Sequence, residues 1–180
     1  MYFEKPGKAN TERTIELALK ATGERGIGHV VIASSTGYSA WFLAGKGVNA
    51  VCVTSVYGSP EKGKNMMPED TRTALAEAGV KVLTASHVLS GVERGISTKF
   101  GGMYPAEIMA HTLRMFGEGA KVCVEIGIMA LDAGLIPYGE KVIAIGGTGR
   151  GADTALIITP SHAQYVLETR IHEVICKPGL

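Results

Sequence analysis

Cysteine, aromatic residues and net charge are all scarce in this chain, and each scarcity removes a class of function. The three cysteines, Cys52, Cys123 and Cys176, are odd in number, far apart and set among apolar neighbours. They read as reduced, buried thiols rather than a disulfide framework. Aromatic residues make up only 6% of the chain, which argues against a base-stacking platform. A formal net charge of +1 gives no bulk attraction to nucleic acid or to an anionic membrane surface. No apolar run is long enough to span a bilayer, and the opening MYFEKPGKANTERT lacks the apolar core of a secretion signal. The cytoplasm is the expected setting.

Motifs for catalysis are missing too. His29, His87, His111, His162 and His172 show no metal-ligand spacing, so no metal site is expected. There is no G-x-S-x-G elbow for a serine hydrolase, and no Gly-Lys-Ser/Thr to complete a P-loop. His87, His111, Lys99 and Glu125 are the titratable groups left for an enzyme to use. Glu125 falls mid-helix among apolar residues, where a carboxylate needs a partner.

What is present is α/β patterning over 180 residues, 46% of them hydrophobic, the size of a single domain over 1–180. NTERTIELALKATGERG has helical periodicity, with Asn10 or Thr11 as its cap and Gly23 and Gly26 ending it. HVVIAS, NAVCVTSV and VKVLTAS read as buried parallel strands. YSAWFLAGKG reads as a short helix between the first two strands, and Pro68 opens another in PEDTRTALAEAG. Residues 90–105, SGVERGISTKFGGMYP, are glycine-rich, basic and aperiodic, and are expected to be a functional loop. PAEIMAHTLRMFG is a helix, and AKVCVEIGIMALDAG a buried helix despite its strand-like KVCVEI. KVIAIGG, TALIITPS and a short HEVICKP complete the strands. Helix and strand alternate with short connections, as in layered α/β folds.

Two loops stand out. VIASSTGYSAWFLAGKG places Ser34, Ser35, Thr36 and Ser39 around Gly37, where a strand ends and a helix starts. One hydroxyl suffices for a cap. Several around a glycine, at the carboxyl end of a sheet strand, also suit an anion. VIAIGGTGRGADTA carries Gly147, Gly149 and Ala152 in the dinucleotide spacing, but the chain returns as a strand and too little remains for a dinucleotide fold. Its reading is a glycine loop whose amides and Arg150 clasp a charged ligand, beside the simpler reading of a hairpin turn. Arg94, Lys99, Gly101 and Gly102 in the middle segment would form a lid or complete the anion site, beside the simpler reading of a solvated basic loop.

SSTGYSA resembles the Thr-x-Ser-Gly-x-Ser-Ala element in the C-terminal domain of pyruvate kinase. VIAIGGTGRGADTALI resembles that domain's late strand, glycine loop and returning strand. SGVERGISTKFGG, AHTLRMFG and KVCVEIGIMALDAGLIP are similar to the middle segment of stand-alone proteins consisting of this domain alone. The resemblance implies a three-layer α/β/α fold with a mostly parallel five-stranded sheet in order 3-2-1-4-5. It implies a phosphorylated ligand, with flavin mononucleotide (FMN) the expected one. The implied binding residues are Ser34, Ser35, Thr36, Gly37, Tyr38, Ser39, Thr54, Lys99, Gly146, Gly147, Thr148, Gly149, Arg150 and Gly151. The barrel of pyruvate kinase does not fit in this length, so kinase activity is not carried over. The alternatives are a flavin-dependent oxidoreductase, an enzyme acting on a phosphorylated metabolite, or a regulatory or assembly module. A homo-oligomer is implied because the kinase's equivalent domain makes subunit contacts. Tyr38 stands where the kinase element often has a polar or basic residue, which would suit a flavin ring better than a second sugar phosphate. The tryptophan after the kinase's late glycines has no counterpart here.

Overall fold

Residues 1–179 are described by a computed structural model of the chain. Strand β1 (Tyr2–Phe3) and a 3-10 turn (Lys8–Asn10) precede helix α1 (Thr11–Arg25), β2 (His29–Ala33), a second 3-10 turn (Ala40–Leu43) and β3 (Asn49–Val53). Then come α2 (Glu69–Glu77), β4 (Lys81–Leu83), α3 (Gly91–Phe100), α4 (Pro105–Arg114) and α5 (Glu118–Asp132). The chain closes with β5 (Val142–Gly146), β6 (Thr154–Thr159), a third 3-10 turn (Ala163–Glu168) and β7 (Arg170–Pro178). No helix among the described residues is long and apolar enough to cross a membrane.

Alternation along the strands splits the core in two. Val30, Ile32, Ile143 and Ile145 face Ile15, Ala18 and Ala21 of α1, together with Leu43 and Leu75. Val31, Val51, Val142 and Ala144 face Cys123, Ile126 and Ala130 of α5. Two faces covered by helices explain why these strands read as unbroken apolar runs. Helix α5 is buried for nearly its whole length, packed between the sheet and α4. That placement accounts for a helix that is apolar on every side. Helix α1 ends at Gly26, whose φ of 64° is left-handed, as expected of a glycine stop. At its start Asn10 holds the cap position without capping, because its amide group donates to the Lys5 carbonyl at 2.7 Å.

The sheet corrects the expected five strands in order 3-2-1-4-5. It has seven, in order β1-β7-β6-β5-β2-β3-β4. The two additions lie together at the β6 edge: nine-residue β7 pairs antiparallel with β6, and two-residue β1 pairs parallel with β7. Both terminal segments thereby satisfy backbone groups that would otherwise end the sheet as an open edge. Strand β6 runs antiparallel to β5, because the glycine loop between them is too short for a crossover helix. Strands β2, β3, β4 and β5 are parallel, so their carboxyl ends share one edge.

Residues 90–105 depart from the expected loop. Most of the segment is helix α3, and the glycines that suggested a loop sit at its first position, mid-helix and just beyond its end. Val92, Ile96 and Phe100 recur every fourth residue, a helical spacing, yet Val92 and Phe100 are exposed.

The three cysteines are fully buried and unpaired. Burial pushes the Cys52 thiol up to about 12 against the opposing pull of Arg72, and raises Cys123 and Cys176 as well. The native protein should therefore leave Ellman's reagent untouched at mildly alkaline pH, and all three thiols should react once it is denatured. The raised value also sets the sign of a pH effect. The unfolded thiol ionises first, so stability present below about pH 9 is lost as pH rises towards 12. Fast native labelling, or a flat alkaline stability profile, would contradict this burial.

Candidate functional site

At the shared carboxyl edge lies a cleft of ≈ 800 Å³. One wall is the 34–39 loop after β2. Its anchor is the Ser34 amide, which donates to Val53 O at 3.0 Å. Ser34 Oγ accepts from the Ser39 amide at 3.1 Å, and Ser35 Oγ from Ser55 Oγ at 2.8 Å. Gly37 has φ 89°, and a Cβ there would lie 2.7 Å from Thr71 Cγ2, so α2 packs directly on this turn. Among the described residues the Thr36, Gly37 and Tyr38 amides and the Thr36 and Ser39 hydroxyls have no hydrogen-bond partner. The expected helix after this loop is a single 3-10 turn of four residues. Its dipole is too short to matter, so an anion here would be held by loop amides and hydroxyls.

Thr54 sits behind the loop in a chain of fixed polarity. Arg72 Nη1 donates to Thr84 Oγ1 at 2.7 Å, Thr84 Oγ1 lies 2.6 Å from Thr54 Oγ1, and Thr54 Oγ1 donates to Ser55 O at 2.8 Å. Arginine can only donate and a carbonyl only accept, so every hydroxyl proton in the chain is directed.

The opposite wall is the 146–151 loop, pinned by Asp153. Its fully buried carboxylate accepts from the Gly7 amide at 2.8 Å, the Thr148 amide at 3.1 Å and Thr154 Oγ1 at 2.8 Å. The Ala152 amide donates to Thr11 Oγ1 at 3.0 Å, which in turn donates to Lys8 O at 2.7 Å. The glycines differ in purpose. A Cβ on Gly146 would lie 2.6 Å from Gly119 O on α5, and one on Gly151 2.5 Å from Thr11 Oγ1. Only Gly149, with φ 73° and open space around it, is a turn glycine free of packing. The N-terminal arm thus docks on this loop and brings Lys8 into the cleft, its Nζ 4.1 Å from the centre of the Tyr38 ring. A ring stacked on Tyr38 must share it with Lys8.

The floor comes from α5. Lys121, Val122, Glu125 and Ile126 line it, with His87 beside them. Lys121 Nζ donates to Glu125 Oε2, Leu89 N donates to Glu125 Oε1 at 3.0 Å, and His87 Nδ1 lies 3.6 Å from the same carboxylate.

The structure gathers Ser34, Ser35, Thr36, Tyr38, Ser39, Thr54, Gly147, Gly149, Arg150 and Gly151 around one cleft. Gly37, Gly146 and Thr148 support it from behind. Lys99 is not among its lining residues: it is exposed in the last turn of α3, with Nζ 5.2 Å from the centre of the Phe100 ring. His111 is exposed on α4. Lys8, Lys121, Ser55 and Asp153 were missed. Lys121 had a readable signal, a lysine four residues before a glutamate inside an apolar helix.

Residues 12–158, which include both loops and α5, match the profile of the pyruvate kinase, alpha/beta domain. The chain belongs to that family. Among solved structures it is similar to two pyruvate kinases from Cryptosporidium parvum. One is 14% identical at a TM-score of 0.43 over 83% of this chain, the other 12% identical at 0.37 over 93%. This member of the pyruvate kinase alpha/beta domain family spans 23% of either protein's length. Lys8, which overlies Tyr38, falls outside the matched family segment.

Proposed function

We propose that this protein holds a phosphorylated small molecule in the cleft, with FMN the first candidate. The observation that carries the reading is the set of unpartnered amides and hydroxyls at residues 36–39, in a cleft that also contains Arg150 and Lys8. Loop amides, hydroxyls and two cations together make a phosphate site. The residues present also fit the rest of FMN. The cleft's volume is within the ordinary range for ligand pockets, Val53, Val122 and Ile126 supply an apolar floor, and Tyr38 adds an aromatic face. A bound flavin would supply electron-transfer chemistry. This chain's residues would bind and orient it, the 34–39 loop and Arg150 at the phosphate and the α5 floor beneath the ring. An oxidoreductase reading would draw its titratable groups from His87, Lys121 and Glu125, which line the cleft, rather than from Lys99 or His111.

The absorbance spectrum of purified protein tests the ligand directly. Visible flavin bands, or quenching of added FMN fluorescence that saturates at one ligand per chain, are the expected results. A colourless protein that quenches no added FMN would overturn FMN as the ligand. Binding of inorganic phosphate in the same preparation would still uphold the phosphate site.

A further inference from the structure

The α5 floor of the cleft carries a polar group of its own. Lys121 is only 5% exposed, yet it lines the cleft. Its ammonium donates to Glu125 and to nothing else among the described residues. An ammonium has three donors, and leaving donors of a buried charge unmet is unfavourable. Two of them are therefore free for a ligand oxygen. Glu125 is held in place by Leu89 N, which donates to its other oxygen, while His87 Nε2 is turned to Thr54 O at 3.3 Å.

The charges decide which oxygen. Glu118 is paired with Arg114 at 2.6 Å, and Glu125 with Lys121. Lys8 and Arg150 are left to balance a phosphate dianion. Lys121 has spare hydrogen-bonding capacity but no spare charge, so a second phosphate or carboxylate beside it would go uncompensated next to Glu125. A neutral carbonyl oxygen meets both conditions.

We propose that the cleft takes phosphorylated ligands that also carry a neutral carbonyl, received by Lys121, and that it rejects ligands bearing a second anionic group there. The proposal rests on the phosphate reading above. FMN, with carbonyls on its ring, fits this class and a sugar bisphosphate does not.

Calorimetric titration with inorganic phosphate, glycerol phosphate, fructose bisphosphate and FMN tests it. Lys121→Met alone would leave Glu125 as an unpaired buried charge, so the double variant Lys121→Met/Glu125→Gln is measured beside it. Gln keeps an acceptor for Leu89 N while the pair becomes neutral. The wild type should bind FMN more tightly than glycerol phosphate and gain nothing from the bisphosphate. In the double variant FMN affinity should fall by about 10–100-fold, the loss of a charged hydrogen bond, with affinity for inorganic phosphate unchanged. Wild-type FMN affinity in the double variant, or a bisphosphate bound more tightly than FMN, overturns the carbonyl contact. Failure of the wild type to bind any of the four, inorganic phosphate included, overturns the phosphate reading itself and this one with it.

Discussion

Alanine at Asp153 should destabilise the fold by about 3–5 kcal/mol, whereas asparagine should cost only about 1 kcal/mol. The carboxylate is fully buried and takes three donors, from Gly7, Thr148 and Thr154. Alanine leaves all three without an acceptor and opens a small void. Asparagine can turn its oxygen to the two amides and its NH2 to Thr154 Oγ1, which then accepts. The contacts survive and only their charge-assisted strength is lost. Urea denaturation of both variants at neutral pH decides the matter, and equal stabilities would mean that Asp153 is not the pin described here. The alanine variant should also bind phosphate more weakly, because the same carboxylate ties the N-terminal arm, and so Lys8, to the glycine loop.

The largest effect on binding is expected from Ser35→Ala/Thr36→Ala/Ser39→Ala together. The Thr36 and Ser39 hydroxyls have no partner among the described residues, and Ser35 Oγ accepts from Ser55. Each hydroxyl bonded to an anion contributes about 1.5–3 kcal/mol, so losing two or three should weaken binding by roughly 100-fold or more. The fold should change little, within about 1 kcal/mol. The bond that closes the loop runs from the Ser39 amide to Ser34 Oγ, and neither atom is altered. Titration with inorganic phosphate and FMN, beside urea denaturation, separates the two effects. Unchanged affinity for both probes would overturn the site.

The 34–39 loop was legible because its signal is local: an apolar run, then small residues and hydroxyls, at a strand's end. The buried helix α5 was legible too, since its fifteen residues are too long for a strand of this sheet. Helix α3 was not, because its apolar spacing faces solvent and glycines at its first and fifth positions mimic a loop. The seven-stranded sheet was not legible either. Two residues of β1 carry no periodicity, and their pairing with β7 joins opposite ends of the chain. Several loop glycines changed meaning in the same way. As sequence they suggest anion binding, yet Gly146 and Gly151 are required by the close approach of α5 and Thr11.

Periodicity and composition determined the layered α/β class, the buried strands and the two loops, because strand and helix repeats are properties of neighbours in the chain. Tertiary structure alone decided that Lys8, Lys121 and Arg150 share one cleft while Lys99 stays outside it. The parallel strands align their carboxyl ends along one edge, and α5 crosses beneath that edge. Which distant side chains meet there depends on crossover packing that no short stretch of sequence encodes.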